Sequence, residues 1–289
     1  MEKIIKEKIS SLLSEEEEVL SVEQLGGMTN QNYLVKTSSN QYIVKFFGKG
    51  TDKLIDRQNE KFNLELLKDL KLDVENYLFD IEAGIKVNQY IENAETLDSA
   101  TIKTKFEKIA PILQTIHASG KELRGEFAPF EEIKKYESLI QGEISYPNYE
   151  AVRKSVLSLK NELEKIGVDK KSCHIDLVPE NFIEGPDGHL YLIDWEYSSM
   201  NDPMWDLAAL FLESEFTPEE EADFLAYYEG DKTPVSREKI RIYKILQDII
   251  WSLWTIYKEE NGADFGDYGI SRYNRAVKEL QSQGGIDED

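Results

Sequence analysis

Cys173 is the only cysteine in the chain, so no intrachain disulfide can form, and a reducing compartment such as the cytoplasm is expected. No apolar stretch approaches the ~18 residues that would cross a bilayer. The opening MEKIIKEKISSLLSEEEE is charged throughout and lacks the apolar centre of a signal peptide, so none is expected. Positive charge is scarce: 34 Lys and Arg stand against 56 Asp and Glu, a formal net charge of −22. That field repels phosphate backbones and anionic lipid, so neither nucleic acid nor membrane insertion is expected. It would draw in a cation, although plain solubility accounts for the charge equally well. Low-complexity sequence is confined to the acidic run 15–18, and no internal repeat is visible. What remains is a chain of 289 residues with 40% apolar content, enough for two lobes and a sizeable core.

The most informative stretch is 173–206, CHIDLVPENFIEGPDGHLYLIDWEYSSMNDPMWD. It sets His174, Asp176 and Asn181 in an H-x-D-x-x-x-x-N run and puts Asp194 in I-D-W-E-Y. Between them, 182–184 and 190–193 read as short strands around the turn Gly185-Pro186-Asp187-Gly188. Such a hairpin would hold Asp176 and Asn181 at one end with Asp194 close by. Two carboxylates and an amide suit Mg²⁺, a hard cation that shares its oxygen ligands with phosphate. The spacing matches the catalytic loop and metal-binding Asp of protein-kinase-like phosphotransferases. His174 and Asp176 are therefore the candidate catalytic residues, and Asn181 and Asp194 the candidate metal ligands.

Upstream, 4–13 has helical spacing, and 19–25, 32–37 and 41–47 read as strands. The loop Gly26-Gly27-Met28-Thr29-Asn30-Gln31 joins the first two strands. Its glycines permit close backbone approach, and Thr29, Asn30 and Asn32 could donate to phosphate oxygens. Alone the loop reads equally well as a simple hairpin. Lys45 lies within an apolar strand, where a charge needs a partner. A helix expected over 53–70 offers Glu60, with Glu65 as the rival. A strand Lys paired to a helix Glu orients nucleotide phosphates in kinases. Strands at 77–81 and 85–91 complete a five-stranded sheet. Gln89, Tyr90 and Ile91 then occupy the hinge position, whose backbone groups would read adenine.

Helices are expected over 100–118, 130–140, 149–166, 204–212, 218–228, 235–260 and 267–280. His117 reads as a packing or capping residue, and His189, beside the turn, as exposed. In 235–260, at ~100° per residue, Ile242, Ile245, Leu246, Ile249, Leu253 and Ile256 share one stripe. Trp251 and Trp254 project from another side, where they either cover a neighbouring helix or line a pocket. Tryptophan faces hold quaternary ammonium groups. Tyr197 and Tyr268 are further candidate walls, and Glu213 a candidate counter-charge.

Taken together, LGGMTNQNYLV, CHIDLVPEN, IDWEYSSMNDPMWDLA and WSLW resemble the choline/ethanolamine kinase family, in order over nearly the whole chain. The resemblance implies an α+β, bilobal protein-kinase-like fold. Residues 1–92 would form a nucleotide-binding lobe with a five-stranded antiparallel sheet, helix and hinge. Residues 93–289 would form a mainly helical catalytic lobe with a small catalytic hairpin. It implies ATP and Mg²⁺ as cofactors and choline as substrate, with Asp176 as base and Asn181 and Asp194 on the metal. Lys45 with Glu60 would fix the phosphates, and Tyr197, Trp251, Trp254 and Tyr268 would form the choline cage. Given the net charge, the nucleotide should arrive as its magnesium complex. No Lys or Arg lies between Asp176 and Asn181, and Asp202-Pro203 follows Asp194 too soon for an activation loop, which argues against a protein substrate. Ethanolamine, an aminoglycoside, and a non-catalytic sensor role are the alternatives.

Overall fold

Alternation of apolar and polar residues near the N-terminus produces one antiparallel sheet. In the computed structural model, which describes residues 2–9, 12–14, 16–26, 30–48, 50–229 and 235–282, that sheet has five strands. These are β1 (Val19–Gln24), β2 (Gln31–Thr37), β3 (Gln41–Phe46), β4 (Asn76–Asp80) and β5 (Ile85–Gln89), in spatial order β1-β2-β3-β5-β4. Period-two geometry sends Tyr33, Val35, Tyr42, Val44, Ile85 and Val87 to one face, where Ile5 and Ile9 of α1 (Glu2–Ile9) cover them. Lys45 and Lys86 are direct cross-strand neighbours on β3 and β5 and point to the opposite face.

The helix expected over 53–70 is shorter. α2 spans Arg57–Leu67 because Asp56 caps it, its carboxylate accepting from the Gln58 and Asn59 N–H groups at 3.0 and 3.1 Å. The hairpin forms as read. β8 (Phe182–Glu184) pairs with β9 (Leu190–Leu192), and Gly188 takes the positive φ of 78° that the turn requires. The short strand β6 (Glu95–Thr96) pairs with β8, and the Leu192 N–H donates to the Leu72 carbonyl at 2.8 Å. These contacts explain why the chain divides into one compact unit of residues 1–102 with 179–198, and another of 103–178 with 199–289. The hairpin thus clusters with the first unit.

The second unit is mainly helical, with α3 (Phe106–His117), α4 (Pro129–Leu139), α5 (Tyr149–Ile166), α6 (Pro203–Glu213), α7 (Pro218–Tyr228), α8 (Arg237–Glu260) and α9 (Tyr268–Ser282). One small ribbon, β7 (Lys171–Cys173) against β10 (Ser199–Asn201), completes it. The centre is α8, buried on nearly every side and packed by α4, α6 and α9. No helix among the described residues is long and apolar enough to cross a membrane.

Close approach of α9 to α8 depends on Gly269. A Cβ there would stand 2.6 Å from the Tyr146 hydroxyl and 2.9 Å from the Thr255 side chain. The Tyr146 hydroxyl already donates to the Ser252 carbonyl of α8 at 2.9 Å, so it has little room to yield. Gly269→Ala is expected to cost about 1–3 kcal/mol by overpacking. Urea unfolding checks this; an unchanged midpoint would mean that the helices part freely.

Candidate active site

Two lysines, one arginine and three carboxylates from distant parts of the first unit converge below the sheet. Lys45 Nζ donates to Asp194 Oδ1 at 2.6 Å. Lys86 Nζ donates to Glu60 Oε1 at 2.8 Å, and Arg57 Nη1 to Glu60 Oε2 at 2.6 Å. The expected Lys45–Glu60 pair is therefore replaced by two others. Lys86 sits beside Lys45 on the next strand and, with Arg57, saturates Glu60, while Glu65 is exposed and takes no part in this cluster. Arg57 Nη1 also donates to Glu196 at 2.9 Å. Burial opposes charge on Lys45, but Asp194 and then Glu196 more than offset it and hold the ammonium above the ordinary lysine range. Glu60 is pulled below the carboxylate range for the same reason: burial opposes the charge, and Lys86 and Arg57 outweigh it.

Asp194 adopts the left-handed conformation, φ 66° and ψ 57°, at the start of the turn Trp195–Tyr197. That is a conformation Asp tolerates and that functional turns often use. The Ile193 N–H donates to the Asn181 carbonyl at 2.8 Å, which brings Asn181 and Asp194 together across the mouth of the hairpin. One carboxylate and one amide oxygen, with Lys45 beside them, form a donor set that fits a hard divalent cation shared with phosphate.

In the glycine-containing loop the described asparagines bond to the protein itself. Thr29 lies outside the described residues. Asn30 is buried, and its side chain is turned inward: Nδ2 donates to Glu196 at 2.8 Å, while Oδ1 accepts from Arg57 at 3.1 Å and from the Gly48 N–H at 3.3 Å. Asn32 donates to the Gly26 carbonyl at 3.0 Å and so closes the loop. Both asparagines shape this segment through side-chain bonds to the protein itself. Gln89 ends β5, its N–H donating to the Glu75 carbonyl at 2.8 Å, and Tyr90 and Ile91 follow it half-buried.

In the second unit, the segment carrying Asp176 hangs on Asp206. The two Asp206 carboxylate oxygens accept from the His174 and Ile175 N–H groups, each at 2.8 Å. His117 lies 3.0 Å from Asp206 through Nε2 and 2.7 Å from the Tyr228 hydroxyl through Nδ1, so this packing histidine fixes the residue that fixes the loop. Ile175 is held at φ 79°, a strained conformation for a β-branched residue, with its carbonyl accepting from the Trp205 indole at 3.0 Å. His174 is fully buried and Asp176 is not. His174 is thus enclosed within the segment, whereas Asp176 is half-buried.

Trp251 and Trp254 are both buried on α8. Trp251 lies 6.5 Å from the Phe127 ring, whereas Trp254 lies 4.9 Å from Phe265, which in turn is 6.4 Å from Tyr268. Phe265 is a ring that sequence reasoning did not single out, although it stands three residues before Tyr268. The Trp254 indole N–H is buried with no hydrogen-bond partner among the described residues. Burial pushes the Tyr268 hydroxyl up to about 12; Arg272 pulls it down, and the Glu213 and Asp176 charges raise it further. Asp176, Glu213 and the Trp254–Phe265–Tyr268 cluster thus share one neighbourhood. Tyr197 belongs to the first unit.

The sequence profile of choline/ethanolamine kinases matches residues 22–239. This chain belongs to that family. Within the choline/ethanolamine kinase family, it is 79% identical to the choline kinase LicA from Streptococcus pneumoniae, whose crystal structure superposes with a TM-score of 0.94 over 98% of this chain and 99% of that one. A crystal structure of LicA in complex with AMP is 80% identical, with a TM-score of 0.92 over 97% of this chain and 98% of that one. Protein LicA of Haemophilus influenzae is 32% identical over 269 residues, 89% of this chain and 79% of that protein. The protein-kinase-like fold expected from the catalytic-loop spacing is thereby established.

Arg57→Met leaves Glu60 with a single cation and Glu196 with none of its direct ion pairs, and is expected to cost about 3–5 kcal/mol, read as a lower urea midpoint. A second expectation concerns Asp73, whose carboxyl is pushed up to about 7 by burial against the pull of Lys86. A carboxyl raised above its unfolded value stabilises while protonated. Its contribution is therefore complete below about pH 4 and fades as pH rises through about 7. Urea titrations should show wild type losing stability relative to Asp73→Asn between about pH 5 and about pH 8. Parallel profiles would count against the raised value.

Proposed function

We propose that this protein transfers the γ-phosphoryl group of ATP to the hydroxyl of choline, giving phosphocholine and ADP. The observation that carries the reading is the neighbourhood of Asp176: a partly exposed carboxylate close enough to act on Tyr268, on the same unit as the Trp254–Phe265 pair. Aromatic faces suit a trimethylammonium group, which has no N–H to donate. The 79% identity to a choline kinase supports the same substrate.

Asp176 would accept the hydroxyl proton as the oxygen attacks the γ-phosphorus and the bond to the β-phosphate oxygen breaks, so that ADP leaves. Lys45 would neutralise phosphate oxygens, and the main chain of Gln89, Tyr90 and Ile91 would meet adenine. Asn181 and Asp194 would hold magnesium, which would spread the charge of the transferring group. Trp251, Trp254, Phe265 and Tyr268 would surround the cation, and Tyr197 is proposed for the same role from its sequence position alone. Glu60 would act at one remove, by fixing Lys86 and Arg57. A cytoplasmic location and the absence of nucleic-acid partners belong to the same reading. The single buried thiol and the net charge of −22 support them.

Coupled detection of ADP with MgATP and choline, ethanolamine, an aminoglycoside or no acceptor tests this. Release dependent on choline is expected. Asp176→Ala should lower kcat about 10²–10⁴-fold while nucleotide binding persists. Preference for ethanolamine, or near-normal kcat in the variant, would overturn the assignment.

A further inference from the structure

The cluster that lines the cation site contains a cation of its own. Arg272, one turn along α9 from Tyr268, is 5% exposed, and its guanidinium carbon lies 4.7 Å from the centre of the Tyr268 ring. Its Nη1 donates to Asp248 Oδ1 at 3.1 Å, and its Nη2 donates to Glu213 Oε1. Asp248 has a second source of charge, since Arg275 donates to both of its oxygens at 2.6 Å. Glu213 has only Arg272 as its ion-pair partner among the described residues. It is also the carboxylate whose charge, with that of Asp176, reaches the Tyr268 hydroxyl.

We propose that Arg272 sets the preference for a quaternary over a primary ammonium by occupying Glu213. The inference rests on reading this unit as the amino-alcohol site. A primary ammonium carries three N–H donors that lose water on entry and need acceptors in its place. A trimethylammonium group has none and gains its binding from ring faces. A carboxylate open to the site would serve the first far better than the second. Bonded to a guanidinium, Glu213 is neutralised and its Oε1 already accepts from Nη2, so it is a weaker acceptor for an ammonium group. The ring faces of Trp254, Phe265 and Tyr268 are left as the main attraction. The positive charge of Arg272 repels both kinds of cation alike, so the discrimination lies in the acceptor strength it removes from Glu213.

The deciding measurement is the ratio of kcat/KM for choline to kcat/KM for ethanolamine. In Arg272→Gln it should fall about tenfold, mainly through a lower KM for ethanolamine. Adding Glu213→Gln to that variant should restore the wild-type ratio, because the released carboxylate is gone. Arg272→Lys, which keeps a cation on Glu213 and guards against loss of the fold, should hold the ratio near wild type. Equal loss toward both substrates in Arg272→Gln, or the same shift in Arg272→Lys, would overturn the proposal, since a merely structural role predicts either. A binding arm needs no turnover: tryptophan fluorescence titrated with tetramethylammonium and with methylammonium. Wild type and Arg272→Lys should favour tetramethylammonium, and Arg272→Gln should lose that preference. An unaltered preference in Arg272→Gln overturns the proposal even if wild type phosphorylates no amino alcohol, an outcome that would instead remove the kinase reading.

Discussion

A charge taken out of water must meet its opposite at hydrogen-bond distance, and both compact units are built around that demand. In the first, Lys45, Lys86 and Arg57 face Asp194, Glu60 and Glu196. Lys45–Asp194 joins β3 to the segment after β9, Lys86–Glu60 joins β5 to α2, Arg57–Glu196 joins α2 to the segment after β9, and Arg57–Glu60 lies within α2. The sheet, the helix and the hairpin are thus held in register by ion pairs, two of which, Lys45–Asp194 and Arg57–Glu196, join residues far apart in sequence. In the second, Arg272 and Arg275 face Glu213 and Asp248 and tie α9 to α6 and α8. Apolar packing brings the helices together, but the pairings allow few other arrangements. A helix that slipped by one residue would strand a buried charge, and removing one partner of such a pair is among the most damaging changes a fold can suffer.

The same demand explains how a strong negative excess coexists with a cluster of buried lysines and arginine in the first unit. The acidic surplus is largely at the surface, where water screens it. Inside, acid and base are nearly matched. Lys45 and Asp194 satisfy each other directly, so both groups proposed to meet the nucleotide are already oriented by a bond between them. Asp206 plays the comparable part in the other unit, spending both oxygens on the backbone that presents Asp176.

Much of this was legible in the sequence. The alternation that yields the five strands, the Pro-Asp-Gly turn of the hairpin and the stripe on α8 each depend on local spacing, and each forms where spacing says it should. Lys45 was visible because an apolar strand surrounded it. Lys86 also lies between two apolar residues, Ile85 and Val87, so the same reasoning applied even-handedly would have questioned which lysine takes Glu60. Arg57 gave no such sign, because its partners Glu196 and Asn30 lie far away in sequence. The inward turn of Asn30 was hidden for the same reason. Asp206 left a fainter trace, one carboxylate within the apolar run of α6. Phe265 and Arg272 are meaningful only once α9 is folded against α8, since that contact is what puts them beside Tyr268.

Cys173 has a practical side that its chemistry alone would not reveal. It is fully buried at the end of β7, next to His174, with its Sγ 3.4 Å from the Asn201 carbonyl, and burial first, then Asp206, push the thiol well above its ordinary range. Being the sole sulfhydryl in the chain, it can react with a labelling reagent only when the strand beside the catalytic loop comes away from its neighbours. The rate of labelling would then be a clock for that opening, timed by the native residue with no probe introduced. The segment that presents Asp176 carries its own reporter of how often it lets go.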